Sequence, residues 1–88
     1  MSAEESRITV GNKPVIDYIV SIAILLNQGI KRIIIRGRGP NISKAVAVYN
    51  AVKDRMGDAI KLSDVRIGSE DRRGKLVSFI EIVIERVL

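Results

Sequence analysis

The chain of 88 residues contains neither cysteine nor histidine. Without cysteine it can form no disulfide, no thiolate metal site and no cysteine nucleophile. Without histidine it lacks the usual general base and a common zinc ligand, which excludes the Ser-His and Cys-His catalytic pairs. We therefore expect a protein that is not an enzyme, with no cofactor, no metal site and no small-molecule substrate.

Aromatic residues are also scarce, since Tyr18, Tyr49 and Phe79 are the whole set. Proteins that bind single strands stack the bases on exposed aromatic rings. Tyr49 and Phe79 lie in patterns that are typical of a core, so the chain lacks such a stacking surface. If the partner is a nucleic acid, contacts to the backbone of a duplex fit the composition better.

Long apolar runs are missing as well. The most hydrophobic stretch, residues 15–26, is interrupted by Asp17, Tyr18 and Ser21 and falls short of the roughly 18 residues that span a bilayer. The first six residues are polar and acidic, unlike the basic start of a signal peptide. We expect no membrane association and a cytoplasmic location.

What the chain does have is positive charge and many aliphatic residues. Fifteen Lys and Arg against ten Asp and Glu give a formal net charge of +5, which favours a polyanionic partner. A hydrophobic fraction of 47% is far too high for a disordered chain, and the length suffices for one core. We expect residues 7–88 to form a single domain and residues 1–6 to be flexible.

The hydrophobic pattern predicts the element order βαβαββ. The predicted strands are Ser6–Gly11, Ile30–Arg36, Ile60–Ser69 and Leu76–Val87, and the predicted helices are Pro14 to Asn27 or Gln28 and Ile42–Met56. The fold class is α+β, a two-layer sandwich in which a four-stranded mixed sheet carries two helices on one face. The first helix is apolar over more surface than one sheet covers, which favours contact with a second subunit.

Basic residues cluster at the ends of these elements, where a small domain can present a binding surface. Lys13 lies just before the first helix, where a cation is unfavourable for the helix dipole but can assist anion binding. A freely solvated lysine explains this position equally well.

The second cluster lies between the second strand and the second helix. Its residues are Arg36, Arg38, Asn41, Ser43 and Lys44, with glycines at 37 and 39. Glycines allow close approach of the backbone to a phosphate, and arginines offer planar donors. The spacing matches neither a P-loop nor a dinucleotide fingerprint, and a tight turn with solubilising arginines fits it equally well.

The third cluster is Arg72, Arg73 and Lys75 in the hairpin tip (residues 70–75). A basic two-stranded tip can lie in a duplex groove, although charged tips are also ordinary solubilising features. Nearby carboxylates at positions 70, 71, 81 and 85 are interpreted as solvated charges. Three dispersed clusters on one surface would match the spaced phosphates of a duplex.

The chain resembles the Alba family of small basic proteins of archaeal chromatin. The resemblance extends from Ile8 to Val87, and its most specific segments are VGNKPV (10–15), LLNQG (25–29), RGRG (36–39), ISKAV (42–46) and VRIGS (65–69). It implies a homodimer, or a heterodimer with a paralogue, that binds double-stranded DNA and RNA without sequence preference. It further implies chromosome packaging at the nucleoid and no catalysis.

The same resemblance assigns roles to particular residues. Lys13 matches a basic residue that contacts nucleic acid, Arg38 and Lys44 match the basic loop and helix start, and the hairpin tip matches a groove-binding arm. Met56 matches a position where dimers join side by side. The family often has two lysines before the proline, whereas this chain has Asn12 and Lys13. An RNA-centred role in a ribonucleoprotein, or as an RNA chaperone, is the main alternative, and a nucleotide-binding enzyme is a weaker one.

Overall fold

A computed structural model describes residues 5–87 and confirms the element order βαβαββ. The strands are Glu5–Thr9 (β1), Arg32–Arg38 (β2), Ile60–Arg72 (β3) and Lys75–Arg86 (β4), and the helices are Val15–Asn27 (α1) and Ile42–Met56 (α2). Of the segment expected to be flexible, residues 1–4 lie outside the described residues, while Glu5 and Ser6 belong to β1.

The four strands form one mixed sheet, as predicted, and its strand order is β1-β2-β4-β3. β1 is parallel to β2, and the other two pairings are antiparallel. The core lies between the sheet and both helices, because Ile33, Ile35 and Ile84 pack in one cluster with Ile22 of α1 and Val48 of α2. Side chains alternate along each strand, so the intervening residues form an outer face that the helices do not cover.

Gly37 explains how closely α2 approaches the sheet. It is buried, and it points to the same face as Ile35 because the two residues are two positions apart on β2. A Cβ at this position would overlap the carbonyl oxygen of Asn41 and would lie 2.8 Å from Ala45 Cβ. The first turn of α2 therefore rests on the backbone of β2, and only glycine leaves room for it.

Several predicted strand boundaries are wrong: β1 ends at Thr9 and not at Gly11, and β2 begins at Arg32 and not at Ile30. At the end of β2 and in the hairpin, strand pairing instead continues further than the sequence pattern indicates. β2 extends to Arg38, which pairs with Phe79 of β4, so the expected loop at residues 37–41 shrinks to the 3-10 turn Gly39–Asn41. In the hairpin, β3 and β4 remain paired up to Arg72 and Lys75. The turn itself contains only two residues, both at positive φ, which is the type I′ geometry that matches strand twist.

None of the helices among residues 5–87 is both long enough and apolar enough to cross a membrane.

Candidate nucleic-acid interface

An open depression of about 490 Å³ lies where β1 and β2 end and α1 and α2 begin. We call it the basic depression; its lining residues are Thr9, Val10, Gly11, Asn12, Arg38, Gly39, Pro40, Asn41, Arg72 and Val77. β1 and β2 are parallel, so both helix N-termini lie at this end of the sheet. Their free N–H groups and partial positive charge favour an anion there.

The loop between β1 and α1 carries Lys13 beside this depression. Lys13 is exposed, and Gly11 and Asn12 of the same loop are lining residues. The backbone N–H groups of Gly11 and Lys13 both donate to the hydroxyl of Tyr18, at 2.7 and 3.2 Å. The loop is therefore attached to the first turn of the helix that follows it.

Arg38 and Asn41 form the second side of the basic depression. Arg38 is the last residue of β2, and no carboxylate pairs with it among residues 5–87. Asn41 occupies the N-cap position of α2, and within the described chain its side chain makes no capping hydrogen bond. A guanidinium and an amide are thus both available to phosphate oxygens.

Lys44 and Ser43 lie in the first turn of α2, as predicted. Ser43 is exposed. The Lys44 ammonium donates to the carbonyl oxygen of Gly11 at 2.8 Å and lies 5.7 Å from the centre of the Tyr18 ring. Lys44 therefore holds the β1–α1 loop while contributing its charge to the same end of the molecule.

The three cations of the hairpin tip do not all lie at the basic depression. Arg72 lines the basic depression, and its Nη1 lies 3.5 Å from Glu70 Oε2. Arg73 occupies the turn at a φ of 57°, and Lys75 pairs across the strands with Arg72; both side chains are exposed. One cation of the tip joins the depression, and the other two extend the positive surface beyond it.

Arg36 occupies a different environment from the other predicted site residues. Its side chain is 15% exposed, its Nη1 lies 2.7 Å from Glu81 Oε2, and its Nη2 pairs with Glu70. The guanidinium also lies 4.4 Å from the centre of the Phe79 ring. Arg36 is not among the residues that line the depression, and two carboxylates already compensate its charge.

Sequence reasoning missed Tyr18 and Glu81. The sequence pattern shows Tyr18 as a scarce aromatic residue that interrupts an apolar run and gives it no site role, although its position one turn after Pro14 lets its hydroxyl reach back to the preceding loop. Glu81 was interpreted as a solvated charge, but it is 8% exposed and its carboxylate lies near Arg7, Arg36 and Arg66. The sequence signal for the burial of Glu81 was its position between Ile80 and Ile82 in a strongly apolar strand.

The residues described hold no group of three or more acidic side chains that is arranged to bind a metal ion. The chemistry that this end of the molecule can perform is anion binding by guanidinium, ammonium, amide and backbone N–H donors.

Known proteins that are similar in sequence to this chain are named as DNA/RNA-binding proteins. DNA/RNA-binding protein Alba 2 of Saccharolobus solfataricus is 45% identical over 75 residues, which cover 85% of this chain and 84% of that protein. The protein of the same name from Saccharolobus shibatae is 47% identical with the same coverage. These are names of binding proteins, in agreement with the expectation that the chain is not an enzyme.

A solved structure has the same fold. Alba from Thermoplasma volcanium superposes with a TM-score of 0.82 and 34% sequence identity, over 91% of this chain and 99% of that one. The family model named Alba matches residues 6–69. This range includes most of β1 and β3, everything between them, and all of the depression except Arg72 and Val77. The chain is a member of the Alba family.

Proposed function

We propose that this protein binds double-stranded DNA and RNA through the sugar-phosphate backbone, without sequence preference. The observation that carries the proposal is the convergence of Arg38, Asn41, Arg72 and the Gly11–Lys13 loop on one depression. Relatives that are 45 and 47% identical are named DNA/RNA-binding proteins, which supports the same conclusion.

Binding draws its free energy from charge neutralisation and counterion release. A duplex carries closely spaced phosphates, and each cation that replaces a condensed counterion adds to the salt dependence of binding. The donors at the depression are side chains that suit phosphate oxygens, and such contacts carry no information about base sequence. The hairpin tip supplies further cations, Arg73 and Lys75, for a groove next to the contacted phosphates.

We propose that the binding unit is a homodimer. β3 is an edge strand, and its Leu62, Val65 and Ile67 are 46, 48 and 80% exposed. Strand register places all three on the face that the helices cover elsewhere, and Val46 of α2 is also exposed, at 36%. Apolar side chains exposed together on one face are typical of an interface between subunits. A heterodimer with a paralogue would bury the same surface.

A second apolar surface supports the side-by-side joining of dimers. An apolar groove of about 200 Å³ lies between α1 and α2, and its lining residues are Ile16, Ile19, Val20, Ala23, Val52, Arg55 and Met56. Met56 is half-buried at its edge, and Ile16 and Val20 are 47 and 49% exposed. Dimers that joined here would coat nucleic acid cooperatively, as packaging of a chromosome requires.

Salt titration of duplex binding tests the proposal. The slope of log K against log salt should be about −0.9 for each phosphate contacted, at similar affinity for duplexes of unrelated sequence. A slope near zero, or strong preference for one sequence, would refute it. Competition between duplex DNA and a structured RNA at matched salt then distinguishes a chromosome-packaging role from an RNA-centred one.

A further inference from the structure

We propose that Tyr18 is a positioning residue: its hydroxyl, together with the Lys44 ammonium, fixes the loop that presents Lys13 to phosphate. This inference deepens the proposed function and rests on it for the identity of the anion. The fixing of the loop is a property of the free protein and does not depend on the identity of the ligand.

The position of Tyr18 in α1 accounts for its reach. Helical side chains tilt towards the helix N-terminus, and Tyr18 is the fourth residue of α1. Its ring is buried at 8% exposure against the core, while its hydroxyl lies next to the loop that precedes the helix. The hydroxyl accepts from two N–H groups two residues apart in the chain, those of Gly11 and Lys13.

Contacts on both sides hold the loop. The Val10 N–H donates to Arg36 O of β2 at 2.8 Å, so the chain leaves the sheet at a fixed point. From there Tyr18 holds two N–H groups, and the Lys44 ammonium holds the Gly11 carbonyl oxygen. At its far end the loop enters α1, where the Asp17 N–H donates to Pro14 O at 3.0 Å.

This arrangement matters for binding because contact with phosphate orders both the lysine side chain and the loop that carries it, and both cost conformational entropy. A backbone fixed in advance removes part of that cost, so each phosphate contact of Lys13 contributes more to affinity. The ammonium of Lys44 can donate three hydrogen bonds, and its bond to Gly11 leaves donors for phosphate as well. Tyr18 itself carries no charge and acts on binding only through the loop.

Tyr18→Phe tests the proposal because it keeps the ring and removes only the acceptor. In the free protein, amide hydrogen exchange at Gly11 and Lys13 should accelerate about three- to tenfold, the loss expected for a partly buried hydrogen bond. Duplex affinity should fall by a similar factor. Tyr49→Phe is the matched control, since Tyr49 is half-buried against the same core and its hydroxyl makes no hydrogen bond within the described residues.

A double-mutant cycle with Lys13→Ala separates positioning from a general loss of stability. If Tyr18 acts through Lys13, Tyr18→Phe should change duplex affinity less than about 1.5-fold in the Lys13→Ala background. Additive losses would overturn the positioning role. If Tyr18→Phe does not fold, Lys44→Met removes the donor to the Gly11 carbonyl oxygen, and unchanged exchange at Gly11 and Lys13 would equally overturn the proposal. Absence of duplex binding by the unsubstituted protein would refute the proposed function, while the exchange data would still decide the fixing of the loop.

Discussion

Arg36 and Arg38 lie two residues apart on β2, yet their surroundings predict opposite consequences of removing them. Arg38 lines the basic depression and has no carboxylate partner among residues 5–87. Arg36 is paired with Glu70 and Glu81 and is mostly buried. We expect Arg38→Ala to reduce the salt dependence of duplex binding and Arg36→Ala to leave it nearly unchanged.

The size of the effect follows from counterion release. Each phosphate contact contributes about 0.9 to the slope of log K against log salt, and a homodimer loses the contact twice, so Arg38→Ala should reduce the slope by about 1.8. Over a fourfold rise in salt, the unsubstituted protein should then lose about tenfold more affinity than the variant. Fluorescence anisotropy with a duplex of about 25 base pairs measures both slopes.

Arg36→Ala should instead lower the free energy of unfolding. It leaves Glu81, whose side chain is 11% exposed, with Arg66 and Arg7 at 3.7 and 3.8 Å instead of a hydrogen-bonded partner at 2.7 Å. The expected loss is about 2 kcal/mol in urea unfolding.

Lys31→Ala controls for the loss of charge alone. Lys31 is exposed and lies just before Arg32, the first residue of β2, roughly 23 Å from Arg38 along an extended chain. Equal slopes for the Arg36 and Arg38 variants would refute the assignment.

Three further predictions concern packing, assembly and charge. Gly37→Ala should lower the free energy of unfolding by about 3 kcal/mol, because its Cβ would overlap the backbone of α2; Gly11→Ala, whose Cβ would lie 3.6 Å from the nearest atom, should cost under about 1 kcal/mol. Ile67→Glu should convert the dimer to monomer in sedimentation velocity, and an unchanged dimer would place the subunit interface elsewhere. Glu70→Gln should strengthen duplex binding by releasing Arg72, while Arg36 keeps its pair with Glu81. Glu85 lies beside Arg32 and Lys61, so Glu85→Gln should not strengthen binding; equal gains would contradict a local effect.

The fold was predictable because its signals are local. Val15–Asn27 and Ile42–Met56 have apolar residues at helical spacing, and each is followed by a glycine at positive φ. The strand ends were less predictable, because ladder pairing across the sheet determines them. Polar residues such as Glu70 and Asp71 gave the pattern of a turn, yet they pair with Val77 and Leu76 and extend the hairpin.

The candidate site was predictable in outline but not residue by residue. Lys13, Arg38 and Lys44 meet at one end of the sheet because β1 and β2 are parallel and both helices begin there. Arg72 joins them because β3 runs in the same direction as β2. Which cations remain free depends on partners far away in the sequence. Arg36 meets Glu81 only because β2 and β4 pair in that register, and nothing near Arg36 in the chain indicates this.

Pairing across the outer face also explains where the net charge of the protein acts. The central carboxylate, Glu81, lies near Arg7, Arg36 and Arg66, and Glu70 and Asp64 pair with the last two of these, so three carboxylates compensate the three cations in the middle of the sheet. Towards the end opposite the depression, Glu85 and Glu5 compensate Arg32 and Lys61. Among residues 5–87, Lys13, Arg38, Arg73 and Lys75 have no carboxylate partner, so positive charge remains uncompensated at the depression and the hairpin tip. A polyanion would then be oriented by the internal ion pairs as much as by the residues that touch it, because compensated arginines offer it little attraction.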